Sequence, residues 1–373
     1  MCTNDPMPKR TILMSPRSVM RVTALLLVPT AAPSAQFSML SEIDISVSSD
    51  LTSVEIVGDH ALVSHRANGI QSVVDLRDPS SPVLCPTSGF NAPFGDMFGE
   101  AHYYDGLGGH LLTGHRFGGL TMIDVSSPCN SLAPVSTVQT QYLHQGLTTW
   151  ADGFTHYLFY GEHPAGGSAG GIRIYDITLG SLLQVGASLD PTGVELDGGD
   201  LVISPSGSWC FQYSPRGFST GPDTALMVYD VFDKTNPQWV TSLDLPGKTA
   251  FSAAELVYSG THESLFIAAG PDGLQLVDVS SPPNPTAVRL FPNFPNVMVQ
   301  EVVFYNANIL LIDAQIGTNA FLVALDVANP ENPVVLGVQP VGGTISDLDV
   351  DRGLVFATVR KDGSQSRVLQ TWM

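Results

Sequence analysis

Basic residues are scarce in this chain: 16 Lys and Arg stand against 35 Asp and Glu in 373 residues, a net charge of −19. A field of that sign repels phosphate backbones and argues against a nucleic-acid partner, while it favours calcium or cationic partners. Plain solubility or a salty environment would explain the same balance. Cysteine is equally sparse. Cys2, Cys85, Cys129 and Cys210 never form a Cys-x-x-Cys spacing, so no sequence-local metal knuckle is present. Long hydrophobic runs are lacking too. Val22 to Val28 is too short to cross a bilayer, and no second run exists. Nor is there a low-complexity linker to mark a domain boundary.

The first 35 residues differ in kind from the rest. Lys9, Arg10, Arg17 and Arg21 precede the apolar run, and small residues follow through Ala35, which is the layout of a secretory signal with cleavage near Ala35. Met20 would be the start of a compact signal, and a disordered basic leader is the alternative. Without residues 1–35 the chain keeps 12 Lys and Arg against 34 Asp and Glu, and three cysteines. Cys85 and Cys129 fall at matched places in consecutive units and could bridge in an oxidising compartment, although buried apolar cysteine is the default for all three.

What the chain does have is a repeat. Val-Val-Asp75, Met-Ile-Asp124, Ile-Tyr-Asp176, Val-Tyr-Asp230, Leu-Val-Asp278 and Ala-Leu-Asp326 recur at intervals of 48 to 54 residues. All but Asp176 lead into a proline-bearing stretch before the next apolar run. The unit spanning Glu255 to Phe291 divides into four strand-like segments: Glu255 to Tyr258, Ser264 to Ala269, Leu274 to Asp278 and Thr286 to Phe291. Gly270-Pro-Asp-Gly273 supplies a turn with positive φ. A period near fifty with four strands per unit points to an all-β propeller of four-stranded antiparallel blades. After the sixth Asp the chain offers only Ser346 to Val350, Leu354 to Arg360 and Arg367 to Trp372. Phe37 to Ile45 is a strand without a partner. Pairing it with Arg367 to Trp372 completes a seventh blade and closes the ring, so residues 36–373 form one domain.

The Leu/Ile-x-Asp-Val-Ser-x-Pro-x-x-Pro pattern resembles the LVIVD-repeat propellers of exported proteins. Glu100-Ala-His102 and Leu143-His-Gln-Gly146 resemble motifs of the related choice-of-anchor B proteins. Unit three departs from the pattern in lacking the Pro-x-x-Pro turn, and unit four in a Gly- and Ser-rich insertion around Pro205 to Pro222. The resemblance implies an exported propeller without an assigned reaction and supplies no catalytic set.

Candidate chemistry lies where inner strands would line a channel. Glu55, His102, Glu255, Glu301 and Asp347 each stand before apolar sequence at the start of an inner strand, with His144 in a similar place, and matched positions in successive blades form a ring near one mouth. Such a ring binds a divalent cation such as calcium through oxygens, or a softer ion or a ligand through His102, His144, Glu255 and Glu301. Alternatively these groups satisfy backbone donors where inner strands splay apart. Six of the nine histidines, His102, His110, His115, His144, His156 and His163, cluster in units two and three. Gly166-Gly-Ser168-Ala-Gly170 matches a nucleophile-elbow pattern, yet it lies in a glycine-rich loop between strands and not before a helix. Asp347-Leu-Asp-Val-Asp351-Arg-Gly353 has its glycine one residue late for an EF-hand and reads as the seventh inner strand. The six repeated aspartates read as turn caps whose loss would loosen a blade.

The sequence thus leads to a secreted, cell-surface or periplasmic monomer, a binding scaffold for a protein or small molecule. Its contact surfaces would be the channel mouth and the inserts near Gly167 and Arg216. A metal-dependent hydrolase or lactonase working at the channel mouth is the alternative, and a structural subunit of a surface assembly is a third.

Overall fold

The computed structural model describes residues 37–45, 51–65, 71–86, 97–103, 109–115, 119–140, 143–163, 171–189, 200–215, 224–245, 256–271, 273–290, 297–317, 319–362 and 366–373. From Pro33 onward the chain forms one compact unit.

The first strand, β1 (Met39–Asp44), is set apart from its neighbours in sequence. Blade 1 is β2 (Leu51–Val57), β3 (His60–His65), β4 (Gln71–Asp75) and β5 (Val83–Leu84). Blade 2 is β6 (Met97–Tyr103), β7 (His110–His115), β8 (Gly119–Asp124) and β9 (Ala133–Val138). Blade 3 is β10 (Leu143–Asp152), β11 (Thr155–His163), β12 (Gly171–Asp176) and β13 (Leu183–Leu189). Blade 4 is β14 (Leu201–Ile203), β15 (Trp209–Pro215), β16 (Thr224–Asp230) and β17 (Gln238–Leu245). Blade 5 is β18 (Leu256–Ser259), β19 (Ser264–Ala268), β20 (Leu274–Asp278) and β21 (Thr286–Leu290). Blade 6 is β22 (Val302–Asn306), β23 (Ile309–Ile316), β24 (Asn319–Asp326) and β25 (Val334–Pro340). Blade 7 is β26 (Gly343–Asp351), β27 (Leu354–Lys361) and β28 (Arg367–Trp372), completed by β1 in the order β1-β28-β27-β26.

The ring closes as the sequence requires. β1 runs antiparallel to β28, with Glu42 opposite Gln370 and Asp44 opposite Val368, and Ser38 and Met373 exchange backbone hydrogen bonds of 3.0 and 3.1 Å. Glu42 anchors this seam through Lys361 Nζ at 2.5 Å and the Gln370 amide at 2.8 Å. Seven apolar clusters fill the seven junctions between adjacent blades, each drawing its members from two neighbouring sheets. Alternation explains this: each strand buries one face against the preceding blade and the other against the following one.

The repeated aspartates act as turn caps in all six units. Asp75, Asp124, Asp176, Asp230, Asp278 and Asp326 each accept the backbone N–H two residues on, at 2.8 to 3.0 Å. Asp176 does so even without the proline turn. Gly270 and Gly273 have φ of 56° and 76°, which a residue with a Cβ rarely adopts.

Two expectations change. Pro205–Gly207 is the tight turn between β14 and β15, and Trp209–Pro215 is a strand, so the supposed insertion of unit four shrinks to residues outside those described. Cys85 and Cys129 are not separate apolar thiols but a disulfide linking blades 1 and 2, whereas Cys210 is a buried free thiol.

Candidate functional site

The inner-strand acids do their work between blades. On β26, Asp347 Oδ2 accepts the Val54 N–H of β2 at 2.6 Å, and Asp349 Oδ2 accepts the Ile56 N–H at 2.8 Å. Their second oxygens accept the N–H groups of Leu348 and Val350. Inner strands diverge too far to pair with one another, so their amides need side-chain acceptors, and a period of two aims Asp347 and Asp349 at the same neighbour. Burial pushes both carboxyl groups up; the amides oppose this, and for Asp347 the charges of Asp349 and Asp200 reinforce it.

The candidate ring is not level. By pairing with the second strand, Glu301 lies opposite Asp313, Asp347 opposite Thr358, and Asp200 opposite Tyr213, all at one height. Glu55 pairs with Leu62 two residues deeper, His102 with Leu111 deeper still, and His144 with Glu162 further out. Glu55 and His102 therefore sit in the middle and near the end of their strands, because the inner strands begin before the apolar pair that marks them in sequence. Glu255 lies outside the described residues, as do Gly167, Ser168 and Arg216. Asp200 is the member that sequence reading missed. Its signal was present, a carboxylate directly before the apolar triplet Leu201–Ile203, but the glycine-rich stretch ahead of it concealed the strand start.

Among the described residues, blade 6 holds an acid with no solvent exposure. Asp313 on β23 accepts the N–H groups of Gln300 and Glu301 at 2.6 and 3.1 Å and the Gln315 amide at 3.1 Å; Gln315 also donates to Gln300 Oε1 at 3.0 Å. Burial raises its pKa to about 6 against the pull of those donors. A group whose folded pKa lies above its unfolded value near 3.9 binds its proton better when folded, so its stabilisation is complete below about pH 4 and is lost as pH rises through 6. Asp313→Asn is expected to remove that slope. Wild-type minus variant unfolding free energy should fall by about 2–3 kcal/mol between pH 4 and 7, and urea titrations at several pH values check it.

Two buried histidines, His65 of unit one and His115 of unit two, serve the core. His65 Nε2 bonds Ser72 Oγ at 2.8 Å, His115 Nε2 bonds Thr121 Oγ1 at 2.9 Å, and both rings are buried. Burial lowers the His65 pKa to about 4, which keeps the ring neutral.

On the opposite face of the ring, where second strands begin and third strands end, the first hairpin of blade 3 runs on to the pair Asp152–Thr155, two residues past Tyr157, which faces the turn aspartate Asp176. β10 and β11 are 10 and 9 residues long, and the tip between them carries Phe154 at 95 % exposure. The hairpin base is fixed. Trp150 lies over Gly207, where a Cβ would come within 2.1 Å of the indole, and its Nε1 donates to Pro205 O at 3.3 Å. Lys234 Nζ stacks 4.4 Å from the Trp150 ring and donates to the carbonyls of Gly207 and Val231 at 2.8 Å. The following turn is tied in as well, since His156 N donates to Thr178 Oγ1 at 3.0 Å and Ile177 N to His156 O at 2.9 Å. Phe154 and Leu179 (91 % exposed) therefore flank one rigid support, with Phe232 (79 % exposed) on the adjoining turn of blade 4.

Among the described residues no helix is long and apolar enough to cross a membrane. The LVIVD repeat pattern matches residues 48–87 and 262–291, which contain the first and fifth turn aspartates. No curated protein matches the sequence. Solved structures share the fold. The periplasmic gluconolactonase of Pseudomonas aeruginosa aligns over 84 % of this chain and 95 % of its own, with 15 % identity and a TM-score of 0.59. The hydrazine synthase of Kuenenia stuttgartiensis aligns over 88 % and 98 %, with 11 % identity and a TM-score of 0.62. The WD40 repeats of RRP9 align over 92 % and 99 %, with 12 % identity and a TM-score of 0.60. The chain is a seven-bladed β-propeller that carries the LVIVD repeat in its first and fifth blades.

Proposed function

We propose that this protein is an exported binding scaffold, secreted, periplasmic or held at the cell surface, that docks a protein partner through the projecting hairpin of blade 3. The observation that carries this reading is the trio Phe154, Leu179 and Phe232, three large apolar side chains exposed around an immobilised base. Isolated surface leucines are ordinary, but a rigid apolar tip is the anchor geometry of an interface. The acidic charge of the chain suits a partner with a basic rim around an apolar pocket. An export leader at residues 1–35 and the disulfide both suit an oxidising compartment.

A photo-crosslinking side chain placed at Phe154, in protein made by its own host, is expected to yield one discrete adduct. The same probe at Val334, on the outer strand of blade 6, should yield none. Equal or absent labelling at both positions would end this reading.

The second reading, a metal-dependent hydrolase at the channel mouth, is favoured by Asp200, Glu301 and Asp347 standing at one height with Asp200 electrostatically felt at Asp347. Against it, Asp347 already spends both oxygens on amides. Elemental analysis of the purified protein separates the two, since the hydrolase requires a stoichiometric ion that Glu301→Ala and Asp347→Ala remove together with lactone or ester hydrolysis.

A further inference from the structure

We propose that the junction of blades 1 and 2 is a thiol-gated metal site: with the disulfide opened, Cys85, Cys129, His60 and Asp75 bind one divalent cation of the zinc class. A ring nitrogen of His60, a carboxylate oxygen of Asp75 and the sulfur of Cys129 lie within 4.8 Å of one another, all half-buried. The Cys85 sulfur, bonded to that of Cys129, stands outside this group of three and has to swing toward it once the bond opens. Two thiolates, an imidazole and a carboxylate are a complete tetrahedral set for a d10 ion, and bonds of about 2.0–2.3 Å need the three groups to close in by only about 1 Å.

The fold assembles this set from four separate places. His60 opens β3 directly opposite Asp75, which closes β4. Cys85 follows β5, and Cys129 is brought over from the turn after β8 of the next blade. At the place of His60, blades 3 to 6 carry Tyr157, Trp209, Ser264 and Ile309, each opposite its own turn aspartate. Blade 2 repeats the pair as His110 opposite Asp124, but the turn arriving from blade 3, Thr178 to Ser181, brings no sulfur. Imidazole, carboxylate and two sulfurs coincide at one junction out of seven. Arg77 competes, since its guanidinium and backbone N–H both bond Asp75. Its side chain is 75 % exposed and can withdraw into water when a cation takes one carboxylate oxygen.

The two states exclude each other chemically. A dithiol donates two electrons and two protons to the S–S bond, yielding the thiols of Cys85 and Cys129 while it becomes a cyclic disulfide. Metal binding then releases both thiol protons to solvent as the thiolates coordinate. An oxidant must displace the ion before the bridge can re-form. The junction would thus exchange one clamp for another.

Cobalt(II) tests this, because thiolate ligation gives a charge-transfer absorption that oxygen and nitrogen ligands do not. The full chain is reduced with a phosphine, freed of it by anaerobic gel filtration and titrated with Co2+, its strand content followed by circular dichroism. One equivalent is expected to saturate the band. His60→Ala, which keeps the disulfide and can be verified as folded before reduction, should weaken binding at least tenfold. Cys129→Ser should abolish the band, Cys210→Ser should leave it unchanged, and unreduced protein should show none. Folded, reduced protein without a thiolate band, or with equal affinity in wild type and His60→Ala, overturns the proposal.

Discussion

A chain lacking residues 1–45 is expected to lose cooperative folding. Deletion strips β28 of its partner and removes Ile45, which is 1 % exposed in the cluster joining blades 7 and 1. Ile45 alone contributes about 2–3 kcal/mol by burial, and each hydrogen bond of the β1–β28 ladder adds about 1 kcal/mol. Together with the Glu42 contacts the loss is on the order of 5 kcal/mol or more, comparable to the whole net stability of a domain. The bared edge of β28 would also template association. A circular permutant that joins residue 373 to residue 37 through a short linker and opens at residues 341–342 makes blade 7 continuous in sequence. It should fold as the full chain does. Thermal melts with size-exclusion chromatography compare the three, and a truncated chain melting within about 2 °C of full length would refute closure as the source of stability.

The second large effect concerns the disulfide. Cys129→Ser is expected to destabilise the protein by about 4 kcal/mol, the loop-closure value for a 44-residue separation, and to lower the melting temperature by about 5 °C. The bridge spans two blades, so its loss should first loosen their shared boundary, where Val57, Leu62, Leu111 and Ile123 pack. Hydrogen exchange should therefore accelerate in β3 and β7 before β19 or β23. A uniform change across all blades would argue that the bridge acts only on the unfolded chain. Cys210→Ser has no such loop to open, but it places a hydroxyl in an apolar cluster of blades 3 and 4. Its effect should be smaller and confined there.

Sequence alone determined the periodic features. Strand alternation and a turn aspartate every 48 to 54 residues are local, covalently encoded signals, and they gave the blade count, the four strands per blade and the partner of the N-terminal strand. Asp347 and Asp349 were readable as one face of a strand for the same reason. What the tertiary structure decided depends on distances around the ring. Whether Cys85 reaches Cys129, how deep Glu55, His102 and Glu301 sit relative to one another, and that Asp347 caps an amide 293 residues away follow from blade tilt and bulged register, which no local pattern records. The tip of blade 3 was hidden for the opposite reason: Asp152-Gly-Phe154-Thr is an ordinary turn sequence, and only the extra length of its two strands lifts the phenyl ring clear of the protein.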